Sequence, residues 1–461
     1  MENVKKLSFI TKLKYGVGDF GMALVSAMLQ FSMLIYYTDV VGVNPGLAGT
    51  AILVGKLAWD MVNDVLFGYF EDKTKSRWGK RRPYLIFCAV PLALSFWLVY
   101  SIPQGLNDVA YFFIIVGTFI LFDTFHTLIA TAYSAMTAEI TSNYDERTSL
   151  TTVRMVFSII GYLLGAGTTS LLAGILSNAL SISIHTGWSI VGLIFGSLAG
   201  ISMLIPGIFL KYKPEMETED TKFPPIKSVL QTLKNKPFRS FLVVSMIMSI
   251  SFTMVTTMLQ YFINHQLQME SDTLFIMLTM LGILAVFLIP CGLLIKKIGK
   301  AKTYAVGLGI ASIALIVGFF LPKGPSIAIY ILAAIVGLGF SAQWVCPHAM
   351  MPDVIEVDEL QTGERREGVY YGMHATSTKV TGALASAMCG WGLEIGCYVE
   401  GAGAIQPDSA ILAIKALFAL IPAIFLIICI PLLIKYPITK QSHEEVLKKL
   451  EELRKAKTNE N

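Results

Sequence analysis

The chain has 461 residues, of which 54% are hydrophobic and only 15% charged, with a formal net charge of +4 and a mean hydropathy of +0.63. Soluble domains carry about 25% charged residues, whereas here apolar runs of about 20 residues recur, the length that crosses a ~30 Å hydrocarbon core. The composition describes a polytopic membrane protein and excludes a soluble multidomain one; the mild basic excess reflects loops, not a nucleic-acid surface. Cys88, Cys291, Cys346, Cys389, Cys397 and Cys429 are scattered without the paired spacing of a disulfide framework or zinc site.

The basic start MENVKKLSFITKLK leads into a long apolar run with no small-residue cleavage site, so no removable signal is expected. Hydropathy, with Gly, Pro and charge as punctuation, predicts helices near 15–40, 46–70, 83–102, 108–140, 150–176 and 186–211. The second half predicts 239–266, 271–295, 303–321, 325–358, 368–398 and 408–435. The expected fold class is all-α integral membrane, with 12 transmembrane helices in two six-helix bundles, 1–211 and 239–435. Residues 212–238 form a charged, proline-bearing cytoplasmic linker, with PIKSVLQTLKNKP as a short amphipathic surface helix. The tail, 436–461, reads as a solvated cytoplasmic helix, HEEVLKKLEELRKAK.

The N-terminal tail, every second loop and the C-terminal tail hold 31 of the 36 Lys and Arg, and the opposite loops contain only Lys323. By the positive-inside rule both termini are cytoplasmic, in a plasma (inner) membrane. The halves echo each other: GYFEDKTKSRWGKRRP answers GLLIKKIGKAKT, and AEITSNYDERTSL answers PDVIEVDELQTGERREGV. Repeated halves with a site between them at mid-membrane are a transporter design.

The remaining basic residues, Lys56, Arg154, Lys379 and Lys415, fall inside predicted spans. A charge at the bilayer centre costs roughly 2.5–3.5 kcal/mol and marks an ion or substrate path. The second span contains LAWDMVNDVLFGYFED, which sets Lys56, Asp60, Asn63 and Asp64 on one helical face. Asp60 lies about 16 Å from the inner end at 1.5 Å per residue. Two carboxylates and an amide oxygen suit a small cation, and two acids one turn apart need a cation or a shared proton. The simpler reading, Lys56 neutralising Asp60, leaves Asp64 unbalanced.

By the same count His126 and Lys379 sit about 20 Å from their inner ends, level with Asp60. Asp123 and His126, three residues apart, are a candidate proton relay, against the alternative of a packed histidine. Arg154 is a candidate clamp for a polar or anionic group. Tyr133 and Trp344 offer stacking faces to a sugar, against the commoner role of packing, and Lys415 snorkels near an outer end. No Walker, HEXXH or nucleophile-elbow motif is present, so neither ATP use nor enzyme chemistry nor a bound cofactor is expected.

The stretches YGVGDFGMAL, IYYTDVVG, WDMVNDVLFGYFEDKTKSRWGKRRPYL, AYSAMTAEIT and MPDVIEVDELQTGERREGVYYG, with Lys379, together resemble the glycoside–pentoside–hexuronide:cation symporters, a melibiose-carrier-like branch of the major facilitator superfamily. The resemblance implies alternating access and uptake of a glycoside with Na⁺ or H⁺. It makes Asp60 and Asp64 the cation seat (metal ligands if the ion is Na⁺), Lys379 the coupling lysine, Arg154 the matching arginine, and Tyr133 and Trp344 the aromatics flanking the sugar. Two galactosyl-binding aspartates of melibiose-type members fall on Ala23 and Ile129 here, and a Na⁺-holding threonine falls on His126. Galactoside recognition and the identity of the ion therefore stay open. Asp19, one turn before Ala23, is not the sugar-binding acid.

The expected function is cation-coupled symport of a glycoside, sugar or sugar acid by a functional monomer in a lipid bilayer. Cation binding at Asp60, Asp64, Asn63 and His126 frees Lys379 to hold substrate with Arg154, Trp344 and Tyr133. Two cationic groups there favour an anionic sugar. Lys56 and Asp123 serve coupling, and Gly68, Asp72, Arg77, Asp353 and Glu356 serve the inner gate. The alternative on the same fold is a lysophospholipid or other amphipathic-solute symporter.

Overall fold

A computed structural model describes residues 7–74, 76–141, 144–210, 232–363, 366–401 and 403–459. The side chains of Asp60, Asp64 and Asp72, and the surroundings of Gly68, lie outside the described residues, as does most of the linker expected at 212–238.

The described chain is helical. The first half runs α1 (Phe9–Ile35), a π-helical turn (Tyr36–Val41), α2 (Pro45–Lys73), α3 (Arg82–Phe87), α4 (Ala89–Val99), α5 (Asp108–Ile140), α6 (Tyr144–Leu180) and α7 (Ile184–Phe209). The second half runs α8 (Lys236–Tyr261), a π-helical turn (Phe262–Leu267), α9 (Thr273–Ile298), α10 (Lys300–Phe319), α11 (Ala328–Thr362), α12 (Glu367–Ile395), α13 (Asp408–Lys415), a third π-helical turn (Ala416–Leu420), α14 (Ile421–Ile434) and α15 (Lys440–Asn459).

Local chemistry sets many of these ends. Ser8, Asn44, Asn107, Ser183 and Asn235 each accept a hydrogen bond from the amide three residues on, capping α1, α2, α5, α7 and α8. Gly363, at φ 73°, closes α11 in the left-handed region. The span expected over 83–102 is broken at Cys88, because Pro91 has no N–H to bond the carbonyl of Phe87. Pro422 likewise frees the carbonyl of Phe418, inside the π-helical turn that divides the expected 408–435 span.

Among the described residues, nine helical segments are long and apolar enough to cross a membrane. The expected second and eleventh spans, α2 and α12, are long but polar, and α4 is short. These two polar helices pack against each other across the halves, and Lys56 and Lys379 line a cavity beside them. Within the first half α1 packs on α6 and α7, α2 on α5, and α4 on α7. Within the second half α10 and α9 pack on α11, and α8 packs on α12 and α14.

Further cross-half packing joins α1 to α8 and α6 to α9. Where α12 crosses α2, a β-carbon at Gly390 would stand 2.3 Å from the carbonyl of Pro45, so glycine permits the approach.

The helix expected as a solvated tail is instead docked. α15 packs on α11, and His443 Nε2 lies 2.6 Å from Glu356 and 3.3 Å from Asp353. The carboxylates supply partners that the helical pattern of the tail alone does not show.

Candidate functional site

A cavity of about 360 Å³ lies between α1, α2 and α5 of the first half and α8 and α12 of the second. Lys56, Asp123, His126 and Lys379 all line it, with Gln30 and a row of hydroxyls including Thr253 and Thr257. His126 and Lys379, which the depth count set at one level, thus share one cavity, while the side chain of Asp60, the third residue of that count, lies outside the described residues. The Oγ of Ser249 donates to the Thr378 carbonyl at 3.1 Å, tying α8 to the turn of α12 that carries Lys379. His126 Nε2 is 3.4 Å from Ser26 Oγ, and its ring lies 5.2 Å from that of Phe122.

Asn63 is fully buried. Its Nδ2 donates to the Asp123 carboxylate and, at 3.4 Å, to Thr127 Oγ1. The carboxylate fixes the amide's orientation, since Oδ1 turned toward it would meet like charge. Oδ1 is consequently buried with no hydrogen-bond partner among the described residues. An orphaned carbonyl-type oxygen beside a carboxylate is a hard donor set of the kind a small cation takes.

The expected substrate set is not gathered here. Arg154 turns to Asp19, with Nε 2.5 Å from Oδ2, and to Thr137 at 2.8 Å, lying 4.6 Å from the centre of the Tyr133 ring. Tyr133 is 1% exposed, and its hydroxyl donates to the Tyr15 carbonyl at 2.5 Å. A guanidinium paired bidentately with a carboxylate is already neutralised, so Arg154 and Lys379 do not form the paired cationic clamp that favoured an anionic sugar. Trp344 also stands outside this cavity, edge-on to Tyr162 at 6.1 Å. Tyr162 donates to Gln30 Oε1 at 2.9 Å, so Trp344 supports the cavity wall through one intermediate ring.

The gate residues also sort differently. Arg77 is exposed and stacks over Trp78 at 5.0 Å. The buried arginine is Arg81, 2.9 Å from Glu71 and 3.2 Å from Glu139. Its second-half counterpart joins Lys300 to Asp353 at 2.6 Å, and Arg366 holds Asp358 at 2.7 Å. The internal echo carried this signal: Glu139 and Asp353 hold matching places in AEIT and PDVI, as do the basic residues after Gly79 and Gly299.

On the face away from the chain ends the halves are latched. Tyr398 donates to Asp39 at 2.7 Å and lies 2.8 Å from His265 Nε2. His265 approaches Asp39 at 3.3 Å, and Thr38 shares a 2.7 Å hydrogen bond with Tyr261. Burial, and the Asp39 carboxylate, push the Tyr398 hydroxyl far above the usual phenol range, so it remains a donor. Trp391 closes the same face by donating to Thr50 at 2.9 Å.

Helices long and apolar enough to span a bilayer, meeting across a polar, charged cavity, define a multi-pass membrane transporter. The fold is that of the major facilitators: a mutant of the nucleoside transporter NupG superposes with a TM-score of 0.69, at 11% identity, over 93% of this chain and all of that one. The chain belongs to the MFS/sugar transport protein family, whose model matches residues 14–440. It is similar to the isoprimeverose transporter of Lactiplantibacillus pentosus, 26% identical over 90% of this chain and 85% of that protein. It is also similar to the sodium-dependent lysophosphatidylcholine symporter 1 of Gallus gallus, 24% identical over 98% of this chain and 91% of that one.

Proposed function

We propose that the chain is a cation-coupled symporter of a glycoside, sugar or sugar acid. It works by alternating access as a monomer and catalyses no covalent chemistry. Its spans number twelve, in bundles at 1–211 and 239–435, with the linker, the tail and both termini on the cytoplasmic side of the plasma membrane.

The observation that carries this reading is the meeting of Lys56, Asp123, His126 and Lys379 in one cavity between the halves, beside the orphaned Oδ1 of Asn63. The cation seat is assigned to Asn63 with Asp60 and Asp64, which flank it in the sequence, and to Asp123. The unmatched amide oxygen beside a carboxylate is a donor set that Na⁺ takes, and Na⁺ is the coupling ion proposed. Substrate binds against Lys379, and the row of hydroxyls supplies uncharged partners. Each ligand raises the other's affinity by the same factor. In this structure the Asp39 latch closes the face proposed as the outer one.

The lysophospholipid reading draws on the relative of that name. The charged groups and hydroxyls set among the apolar side chains of the wall, and a volume at the small end of ligand sites, favour a sugar over an acyl chain. Proteoliposomes carrying the full chain, with imposed Na⁺ or proton gradients and a panel of labelled glycosides, test the proposal. Sodium-driven accumulation of a glycoside is expected. Uptake of lysophosphatidylcholine alone, or uptake indifferent to both gradients, overturns it.

A further inference from the structure

A second cavity, of about 770 Å³, lies between the halves on the latched face. Its wall includes Trp188 of α7, Gln260 of α8, and Asn264 and His265 of the π-helical turn that follows. Gln260 is 3% exposed and its side chain makes no hydrogen bond to a described residue. Asn264 Oδ1 is buried and equally without a partner. Two primary amides thus stand in the wall of the cavity with hydrogen-bonding capacity unspent, where an unmet polar group is costly unless a small shift brings it to something in the cavity.

The two amides continue a polar stripe. Thr253, Thr257, Gln260 and Asn264 follow one another at helical spacings of four, three and four. The first two line the central cavity and the last two line the second one. The junction is sealed where Thr257 donates to the Gln30 carbonyl at 3.3 Å and Gln30 donates to Thr256 at 3.1 Å. One face of α8 therefore runs from the outer cavity to the central one.

The charges in the wall are already committed or balanced. Asp39 is held by Thr38, Tyr398 and His265, while Lys323 and Glu270 are exposed and opposite in sign. Trp188 adds a rigid indole packed 5.6 Å from Tyr36 and 6.1 Å from Tyr100. Uncharged amides beside a fixed aromatic ring match a ligand with many hydroxyls and no net charge.

We infer that Gln260, Asn264 and Trp188 form a separate outer vestibule site for a neutral polyhydroxylated solute of the pyranoside class. The proposal rests on the transport reading for its physiological meaning, since such a site loads solute onto the stripe that leads to Lys379. Its occupancy is measurable without transport.

The test uses the full chain in detergent, carrying Cys397→Ser because Cys397 is the exposed native thiol among the described residues. Ser271→Cys places a reporter in the cavity wall, labelled by a maleimide in the presence of methyl glucoside, methyl galactoside or methyl xyloside, with betaine as a hydroxyl-free control. Saturable slowing of labelling by at least one pyranoside, and not by betaine, is expected. Gln260→Ala and, as a milder change, Asn264→Ala should each raise the half-protecting concentration about fivefold, the loss of one hydrogen-bonding group. Protection should persist with Lys379→Ala.

Absence of protection by all three sugars overturns the proposal. So does protection that vanishes with Lys379→Ala, which would assign the effect to the central cavity, or protection indifferent to both amide substitutions. A protein that showed protection but no gradient-driven uptake would refute the transport reading and leave the vestibule site standing.

Discussion

Asn63 on α2 donates its amide to the Asp123 carboxylate on α5, and its own oxygen is left buried without a protein partner. The pair lies against the cavity that Lys56, His126 and Lys379 also line, so it links the proposed cation seat to the substrate space.

Asp123→Asn removes the charge and keeps the shape. It should lower apparent cation affinity about tenfold or more, within the usual range of coupling energies, while the thermal midpoint of the purified protein changes little. Cation titration of uptake or of intrinsic fluorescence reads this directly. An unchanged cation dependence would remove Asp123 from the seat.

Replacing Lys379 by alanine should weaken substrate affinity about 10- to 100-fold, the worth of a hydrogen bond from a charged donor. Arg154→Lys should act differently. Because Arg154 is engaged by Asp19, Thr137 and the Tyr133 ring, its loss should appear chiefly as lower stability. Binding isotherms beside melting curves separate the two effects.

Arg81 and Arg77 lie four residues apart, yet they should differ widely. Arg81→Ala removes the guanidinium shared by two buried carboxylates, Glu71 and Glu139, at a cost of up to about 3–5 kcal/mol. Arg77→Ala removes only an exposed contact with Trp78, worth within about 0.5 kcal/mol. Expression level and thermal denaturation compare them.

Tyr398→Phe deletes the hydroxyl that reaches both Asp39 and His265. The latched face should open more often, read as faster labelling of Thr253→Cys in the central cavity by a membrane-impermeant maleimide added outside. Labelling no faster than in the parent would show that packing, not this hydroxyl, keeps the face shut.

His443→Ala should release α15 from Asp353 and Glu356. Limited proteolysis should then remove the tail faster, with the core intact. Lys300→Ala, by contrast, should destabilise the core, because Asp353 is 6% exposed and loses its ammonium partner.

Much of this architecture follows from the sequence alone. Membrane helices must satisfy their backbone internally and present apolar surface to lipid, so hydropathy and punctuation mark the helices before any contact is known. Intramembrane charges are costly wherever they face lipid, so Lys56, Asp123, His126 and Lys379 stand out from the primary structure, and counting along the helix sets His126 and Lys379 at one depth. Depth, however, is a single coordinate. Whether a side chain at that depth faces the cavity or a neighbour depends on helix rotation and on which partner is nearest. Only the folded chain decided that Arg154 turns to Asp19, that Arg81 rather than Arg77 is the buried cation, and that His443 reaches across to α11. Those choices rest on ion pairs between residues distant in sequence, whose distances exist only once the helices have packed.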